Sequence, residues 1–95
     1  MPPDASYRDA ECAFHEAGGG LERALAVRER EREQVRGRGR LAYECECELK
    51  RCRLLHRLGR LSAADLAAAR TAAGRLRQPA GAQAAIDRLE RGDAP

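Results

Sequence analysis

Apolar residues recur every three or four positions between residues 41 and 58, which is the spacing of one face of an α-helix. The stripe consists of Leu41, Cys45, Leu49, Cys52, Leu55 or His56, and Leu58 or Gly59. Charged residues occupy the other sides, and acidic residues precede basic ones, which suits the helix dipole. The pattern therefore predicts a helix over about residues 41–58.

A second helix is predicted over about residues 62–77, after a short connection. Gly59 suits the left-handed position that often follows a helix, and Ser62 with Asp65 forms the sequence of a capping box at the next helix start. The apolar face of this helix carries Leu66, Ala69, Ala73 and Leu76. Because the connection is short, we expect the two helices to form an antiparallel hairpin.

A further helix is predicted to begin at Leu21, and its middle is a run of strictly alternating charge from Arg28 to Glu33. We interpret this run as a solvated helix surface, because it offers ion pairs at helical spacing but no apolar stripe. The stretch "VRGRGRL" at residues 35–41 contains two glycines, which destabilise a helix interior. The two interpretations are a break, with reversal of the chain, and a flexible kink, and the break is favoured.

Two shorter helices are predicted at the ends of the chain, over about residues 6–17 and 80–91. The apolar positions are Ala10, Ala13, Phe14 and Ala17 in the first, and Ala82, Ala85, Ile86 and Leu89 in the second. No segment alternates with the period of a β-strand. The predicted fold is all-α: an antiparallel helical hairpin, about 41–58 and 62–77, extended by additional helices into a small bundle or coiled-coil-like assembly.

This pattern divides the chain into three parts. Residues 1–20 hold a short N-terminal helix and a glycine linker, residues 21–91 hold the helical hairpin and bundle, and residues 92–95 are expected to be a disordered tail. With 95 residues, no tryptophan, one phenylalanine and two tyrosines, the core depends on leucine and alanine. A core this small is marginal by itself, which favours a protein that works with a partner or a second copy.

The bulk composition argues for a cytoplasmic protein. The net charge is only +3 because basic and acidic residues alternate along much of the chain. No apolar run is long enough to cross a membrane, and the start of the chain has no pattern of a signal peptide. We therefore expect the four cysteines to be reduced thiols.

A metal site is one interpretation of these cysteines. Cys52 and His56 are four residues apart on the predicted hairpin, and Cys12 and His15 are three apart on the first helix. The two pairs would provide two thiolates and two imidazoles for a tetrahedral zinc ion if the first helix packed on the hairpin. The spacing between the pairs matches no zinc-finger pattern.

The favoured alternative is that the thiols are apolar filler of a helix seam, because cysteine is among the most frequently buried residues. Cys45 and Cys52 lie on the apolar stripe, whereas Cys47 points away from it and is expected to be half-exposed. A redox role for Cys47 or Cys12 is a third interpretation. It is disfavoured for Cys47, since the neighbouring Glu46 and Glu48 should raise the pKa of its thiol.

Three arginines, Arg36, Arg38 and Arg40, alternate with glycine in the predicted break. Such a segment can follow the phosphates of a nucleic acid. The motif is very short, however, and no aromatic residues alternate with the arginines for base stacking. We therefore favour a solvated turn, and nucleic-acid binding is an alternative.

No arrangement typical of an enzyme is found: "AGGGLE" lacks the lysine of a phosphate-binding loop, and no serine lies in a nucleophile motif. No catalysis and no cofactor are expected. The leading hypothesis is a small adaptor or chaperone-like subunit, of the kind found in bacterial assemblies, that binds a partner helix or self-associates. Its expected anchors are Leu54, Leu55, Leu58, Leu61 and Leu66, in a segment with more leucine than one seam can bury. The alternative is a regulator that senses metal or oxidation through its Cys and His residues and binds nucleic acid.

Overall fold

Five helical segments make up the part of the chain that the computed structural model describes, residues 10–15 and 20–92. They are α1 (residues 10–15), α2 (Leu21–Val35), α3 (Leu41–Arg57), α4 (Ala63–Gly74) and α5 (Ala80–Arg91). No β-strand occurs within these ranges, and the all-α helical prediction is confirmed. None of these helices is both long and apolar enough to cross a membrane.

The break between α2 and α3 is built on two glycines. Gly37 and Gly39 have φ angles of +72° and +77°, in the left-handed region that other residues rarely adopt. The amide of Gly37 donates a 2.8 Å hydrogen bond to Oε1 of Glu44, which fixes the turn against the first turn of α3. The predicted break at residues 35–41 is therefore confirmed.

The start of α4 is set by the predicted capping box. The Ser62 hydroxyl accepts a 3.3 Å hydrogen bond from the Asp65 amide, and the Asp65 carboxylate accepts a 3.1 Å bond from the Ser62 amide. Gly59 ends the preceding turn with φ +71°. The helix ends at Gly74 rather than at residue 77, because the amides of Arg75 and Leu76 bond three residues back in a tighter turn.

The central element of the bundle is α3, which packs against α2, α4 and α5. Helix α2 runs antiparallel to α3. Arg32 near the end of α2 pairs with Glu48 in the first half of α3, whereas Glu22 at the start of α2 pairs with Arg60 just after α3. The α3–α4 hairpin is antiparallel too, and α5 packs against both of its helices. Consequently α2 and α4 end where α3 and α5 begin.

Two apolar clusters lie on different sides of α3. The larger one joins α3, α4 and α5 and contains Cys45, Cys52, Ala69, Ala72, Ala73, Ile86 and Leu89. The smaller one joins α1, α2 and α3 and contains Cys12, Ala24, Val27 and Leu54. The prediction that Cys45 and Cys52 serve as core residues is confirmed, since they are buried in the larger cluster.

The buried face of α1 differs from the predicted one. Cys12 is buried, whereas Phe14 is 76% exposed and Ala10 and Ala13 are also exposed. The reason is that the thiol of Cys12 fits beside α2, with its Sγ 3.6 Å from the Ala24 carbonyl oxygen. The remainder of the predicted first helix, with Ala17, and residues 93–95 of the predicted tail at 92–95 lie outside the described residues.

Candidate functional site

The contact between α2 and α3 combines the small apolar cluster with buried charged residues. Arg28 and Glu31 are buried and form an ion pair of 3.2 Å, and the Tyr43 hydroxyl donates a 2.9 Å hydrogen bond to Glu31. The interpretation of the charged run as a solvated surface is therefore wrong for these residues. Ala24 and Val27 are the only buried apolar residues of α2, so its charged residues also face α3, which supplies partners for them.

Arg51 of α3 joins three helices through one guanidinium group. Its Nε donates a 2.9 Å hydrogen bond to Glu29 of α2, and its Nη2 donates a 2.7 Å bond to Asp65 of α4. Its Nη1 lies 3.5 Å from Oε2 of Glu48, whose other oxygen accepts a hydrogen bond from Arg32. Arg51 is thus the polar link between the two sides of the bundle.

The pKa shifts of Arg51 and Asp65 are those expected for groups that are charged and paired. Burial by itself would lower the pKa of Arg51, but its hydrogen bonds to Glu29 and Asp65 raise it above the ordinary value. Burial would raise the pKa of Asp65, but hydrogen bonds from Ser62 and Arg51 bring it below the ordinary value. Both groups are therefore charged near neutral pH. We interpret the cluster as structural, because each charge is directed at another charge of the same chain.

The position of Cys47 differs from the expectation of a half-exposed thiol. Its exposed fraction is 2%, and it lies on the side of α3 that faces α2, close to Glu31. Burial, followed by the charge and hydrogen bond of Glu31, raises the pKa of Cys47 to about 12. The expected direction of the shift is correct, but the carboxylate responsible lies on α2 rather than beside Cys47 in the sequence.

We predict that the folded protein reacts slowly with thiol reagents. Burial raises the pKa of Cys52 to about 11, and all four cysteines, Cys12, Cys45, Cys47 and Cys52, are buried. Because the thiolate is the reactive form, reaction with a disulfide reagent at pH 8 should be at least about 100-fold slower in the native protein than in urea. Absorbance of the released thiol measures both rates. One thiol that reacts equally fast in both states would contradict the prediction.

The candidate metal ligands are not brought together. Cys12 belongs to the small cluster beside α2, whereas Cys52 belongs to the large cluster and directs its Sγ toward the Asp65 carbonyl oxygen at 3.6 Å. Nε2 of His15 lies 4.0 Å from Oε1 of Glu11 on α1, and His56 lies in the last turn of α3. Among the described residues, no group of three or more His, Cys, Asp or Glu side chains could hold a metal ion.

The five leucines expected to bind a partner fall into two groups. Leu54 and Leu55 are 3% and 7% exposed, so the expectation that they stay uncovered when the hairpin closes is wrong. The physical reason is that α3 is covered on several sides, and Leu54 packs against α2. Leu58 is half-buried at the end of α3, and Leu61 and Leu66 are half-buried at the start of α4.

Leu61 and Leu66 line an open groove where the start of α4 meets the end of α5. The groove has a volume of about 620 Å³, and Leu89 of α5 completes its apolar floor. The other lining residues are His56, Ser62, Ala63, Ala67, Arg70, Glu90, Arg91 and Gly92. We call this site the leucine groove, and it is the candidate functional site.

The charged residues that line the leucine groove are Arg70, Glu90 and Arg91. Arg70 of α4 forms ion pairs with Asp87 at 3.0 Å and Glu90 at 2.5 Å, and these carboxylates raise the pKa of Arg70. Arg70 also donates a 3.3 Å hydrogen bond to Gln83. These contacts fix α4 against α5 at the groove. Sequence reasoning missed Leu89 and Arg70 as groove residues. The spacing of apolar residues had placed Leu89 on the apolar face of α5, but it gave no sign that this face borders a groove.

The three arginines of the turn lie apart from this groove. Arg36, Arg38 and Arg40 are all exposed at the junction of α2 and α3. Arg36 lies 3.8 Å from Glu33, and the guanidinium carbon of Arg40 lies 5.0 Å from the centre of the Tyr43 ring. The structure therefore gives Arg40 an aromatic neighbour that the alternation of Arg and Gly in the sequence does not show.

The leucine groove is defined by its own geometry: an apolar floor, a rim of paired charges and an opening to solvent. Comparisons of the chain with protein-family models, with curated proteins and with solved structures found no match.

Proposed function

We propose that this protein is a small helical interaction module that holds a helix of a protein partner, or of a second copy, in the leucine groove. The role is that of an adaptor or chaperone-like subunit of the cytoplasm, without catalytic activity. The observation that carries the proposal is an open groove of about 620 Å³ with Leu61, Leu66 and Leu89 on its floor.

The burial of these side chains supports a docking surface. Leu61 and Leu66 pack against the large cluster with one side and remain half-exposed toward the groove. An amphipathic helix presents apolar side chains at intervals of three and four residues, which is the usual way to fill a groove of this kind. Since Arg70 at the rim is already paired with Glu90, affinity would come mainly from apolar contact.

The test uses Ala67, an exposed residue of α4 that lines the groove without belonging to either apolar cluster. Ala67→Glu introduces a charge and additional volume into the groove at little risk to folding. We expect it to weaken binding at least about tenfold, because a carboxylate would have to be desolvated against the partner's apolar face. Sedimentation at micromolar concentrations measures self-association, and affinity purification with quantitative mass spectrometry measures a different partner.

The matched control is Ala84→Glu, the same substitution at an exposed position of α5 outside the groove. It should leave the same complex intact, and both variants should retain the helical circular dichroism of the parent protein. The proposal fails if the protein forms no complex, or if the two substitutions weaken the complex equally.

A further inference from the structure

We propose that the opposite end of the bundle binds the phosphodiester backbone of nucleic acid. This end consists of the turn at residues 36–40 and the loop at residues 75–79, and we call it the arginine end. The inference is independent of the leucine groove, which lies where α3 ends and α4 begins.

The fold brings two arginine-bearing segments together that are far apart in the sequence. Because α2 and α4 end where α3 and α5 begin, both connections lie at one end of the bundle. Arg36 of the first segment and Arg75 of the second line the same cleft, which has a volume of about 230 Å³. Thr71, Glu44 and the ion pair of Arg32 with Glu48 also line this cleft, so its basic side chains without a carboxylate of the cleft as ion-pair partner are Arg36 and Arg75. Arg38, Arg40 and Arg77 extend the two segments.

The net charge of the whole protein is concentrated at this end. The chain has 18 basic and 15 acidic residues, for a net charge of +3. The arginine end, with the adjoining turns at residues 33–44 and 74–81, holds five arginines and two glutamates. The remaining thirteen basic and thirteen acidic residues balance. Two helices begin and two end here, so their dipoles largely cancel and the arginine charges dominate.

The five arginines are accessible to a ligand. Arg36, Arg38, Arg40, Arg75 and Arg77 are all exposed. A side chain built at Gly37 or Gly39 would meet no atom within 4 Å, so the backbone between the first three arginines is open to a close approach. Of the two glutamates, Glu44 accepts a hydrogen bond from the Gly37 amide, and Glu33 lies 3.8 Å from Arg36 in an ion pair exposed to solvent. Guanidinium groups match the geometry of phosphate oxygens in paired hydrogen bonds.

The lack of apolar surface favours nucleic acid over an acidic protein. Protein interfaces have an apolar or aromatic centre within a polar rim. Leu41 is the only large apolar residue at this end that is notably exposed, at 38%, among the residues described. Phosphate contacts need no such centre, because the release of counterions provides the affinity. The predicted preference is therefore for the sugar-phosphate backbone without base specificity.

The test is the salt dependence of binding to a fluorescent single-stranded RNA and to a fluorescent DNA duplex, measured by anisotropy. If all five arginines bind phosphates, the slope of log K against log salt should be about −3.5 for the single strand and about −4.5 for the duplex. The variant R38Q/R40Q/R75Q/R77Q should reduce these slopes to about −0.7 and −0.9. Comparison of the two probes shows which form of backbone fits. Arg36 is kept because it forms the end of α2.

A matched variant removes four exposed arginines elsewhere, R23Q/R53Q/R57Q/R88Q, and has the same net charge. It should retain most of the parental slope, and circular dichroism should show that both variants are folded. Equal loss in the two variants would overturn the proposal, because the effect would then come from net charge alone. Absence of binding at low salt, or tighter binding of polyglutamate than of either nucleic acid, would also overturn it, the latter in favour of an acidic protein.

Discussion

Replacing Arg51 by methionine is expected to lower the free energy of unfolding by about 3–5 kcal/mol, the usual loss when one partner of a buried ion pair is removed. The side chains of Arg51 and Glu48 are 11% and 10% exposed, so without Arg51 the buried Glu48 carboxylate would keep its bond to Arg32 but lose the positive charge beside its other oxygen. The Asp65 carboxylate would lose its bond to α3 as well. For a protein of this size such a loss approaches the whole stability.

Urea unfolding followed by circular dichroism at 222 nm measures this effect. Arg53→Met is the matched control, because Arg53 is exposed on the same helix, and its substitution should change stability by less than about 0.5 kcal/mol. Arg51→Lys keeps the charge but lacks the planar group that reaches three carboxylates, and an intermediate loss is expected. Equal midpoints for Arg51→Met and Arg53→Met would show that the link between the helices contributes nothing.

Replacing Ile86 by alanine should cost about 2–5 kcal/mol, the range for large-to-small changes at fully buried sites. Ile86 has no exposed surface and is the largest of the fully buried side chains. Its cluster consists mainly of alanine and cysteine side chains on three helices, such as Ala69, Ala73 and Cys52. The short side chains cannot reorient to fill the space, and leucines such as Leu66, Leu76 and Leu89 would close only part of the cavity.

Ile86→Val removes only one methylene group from the same position and should cost about 0.5–1.5 kcal/mol. Thermal and urea unfolding of the three proteins would give the series, with the steepness of the urea transition showing whether the unfolding reaction stays the same. A loss for Ile86→Ala no greater than for Ile86→Val would mean that the helices close the cavity by moving together.

The start of α4 and the break between α2 and α3 could be predicted from the sequence because they depend on residues close together in the chain. Ser62 and Asp65 form the capping box within one turn, and Gly59 and the glycines of the turn need only their own backbone conformation. Amphipathic spacing likewise placed Cys45 and Cys52 in the core. These features require no knowledge of what the helix packs against.

The burial of the charged run could not be predicted for the opposite reason. Whether Arg28 and Glu31 face solvent depends on Tyr43 and Cys47, which lie on another helix and carry no local sign of that contact. The same holds for Cys47, whose position off the main stripe is buried only because α3 is covered on a second side. The spacing of apolar residues shows which face of a helix is buried, but it does not show how many other helices pack against that helix.

The candidate site was predicted in part. Leu61 and Leu66, two of the residues expected to bind a partner, line the groove. Leu54 instead packs against α2, whose charged run had been interpreted as a solvated surface. Some of the leucines expected to bind a partner are therefore buried within the chain itself. The second half of the groove comes from α5, and only the packing of α5 on the hairpin brings Leu89 beside Leu66.

The three-way contact of Arg51 also limits how this sequence can vary. Loss of Arg51 removes a hydrogen-bond partner from carboxylates on two other helices, Glu29 and Asp65, so we expect substitutions at these three positions to be coupled. Positions in the alanine-rich contact between α3 and α4 are limited by volume instead. Sequence divergence should therefore proceed by coordinated replacement around Arg51 and by near-isosteric exchange in the alanine-rich contact.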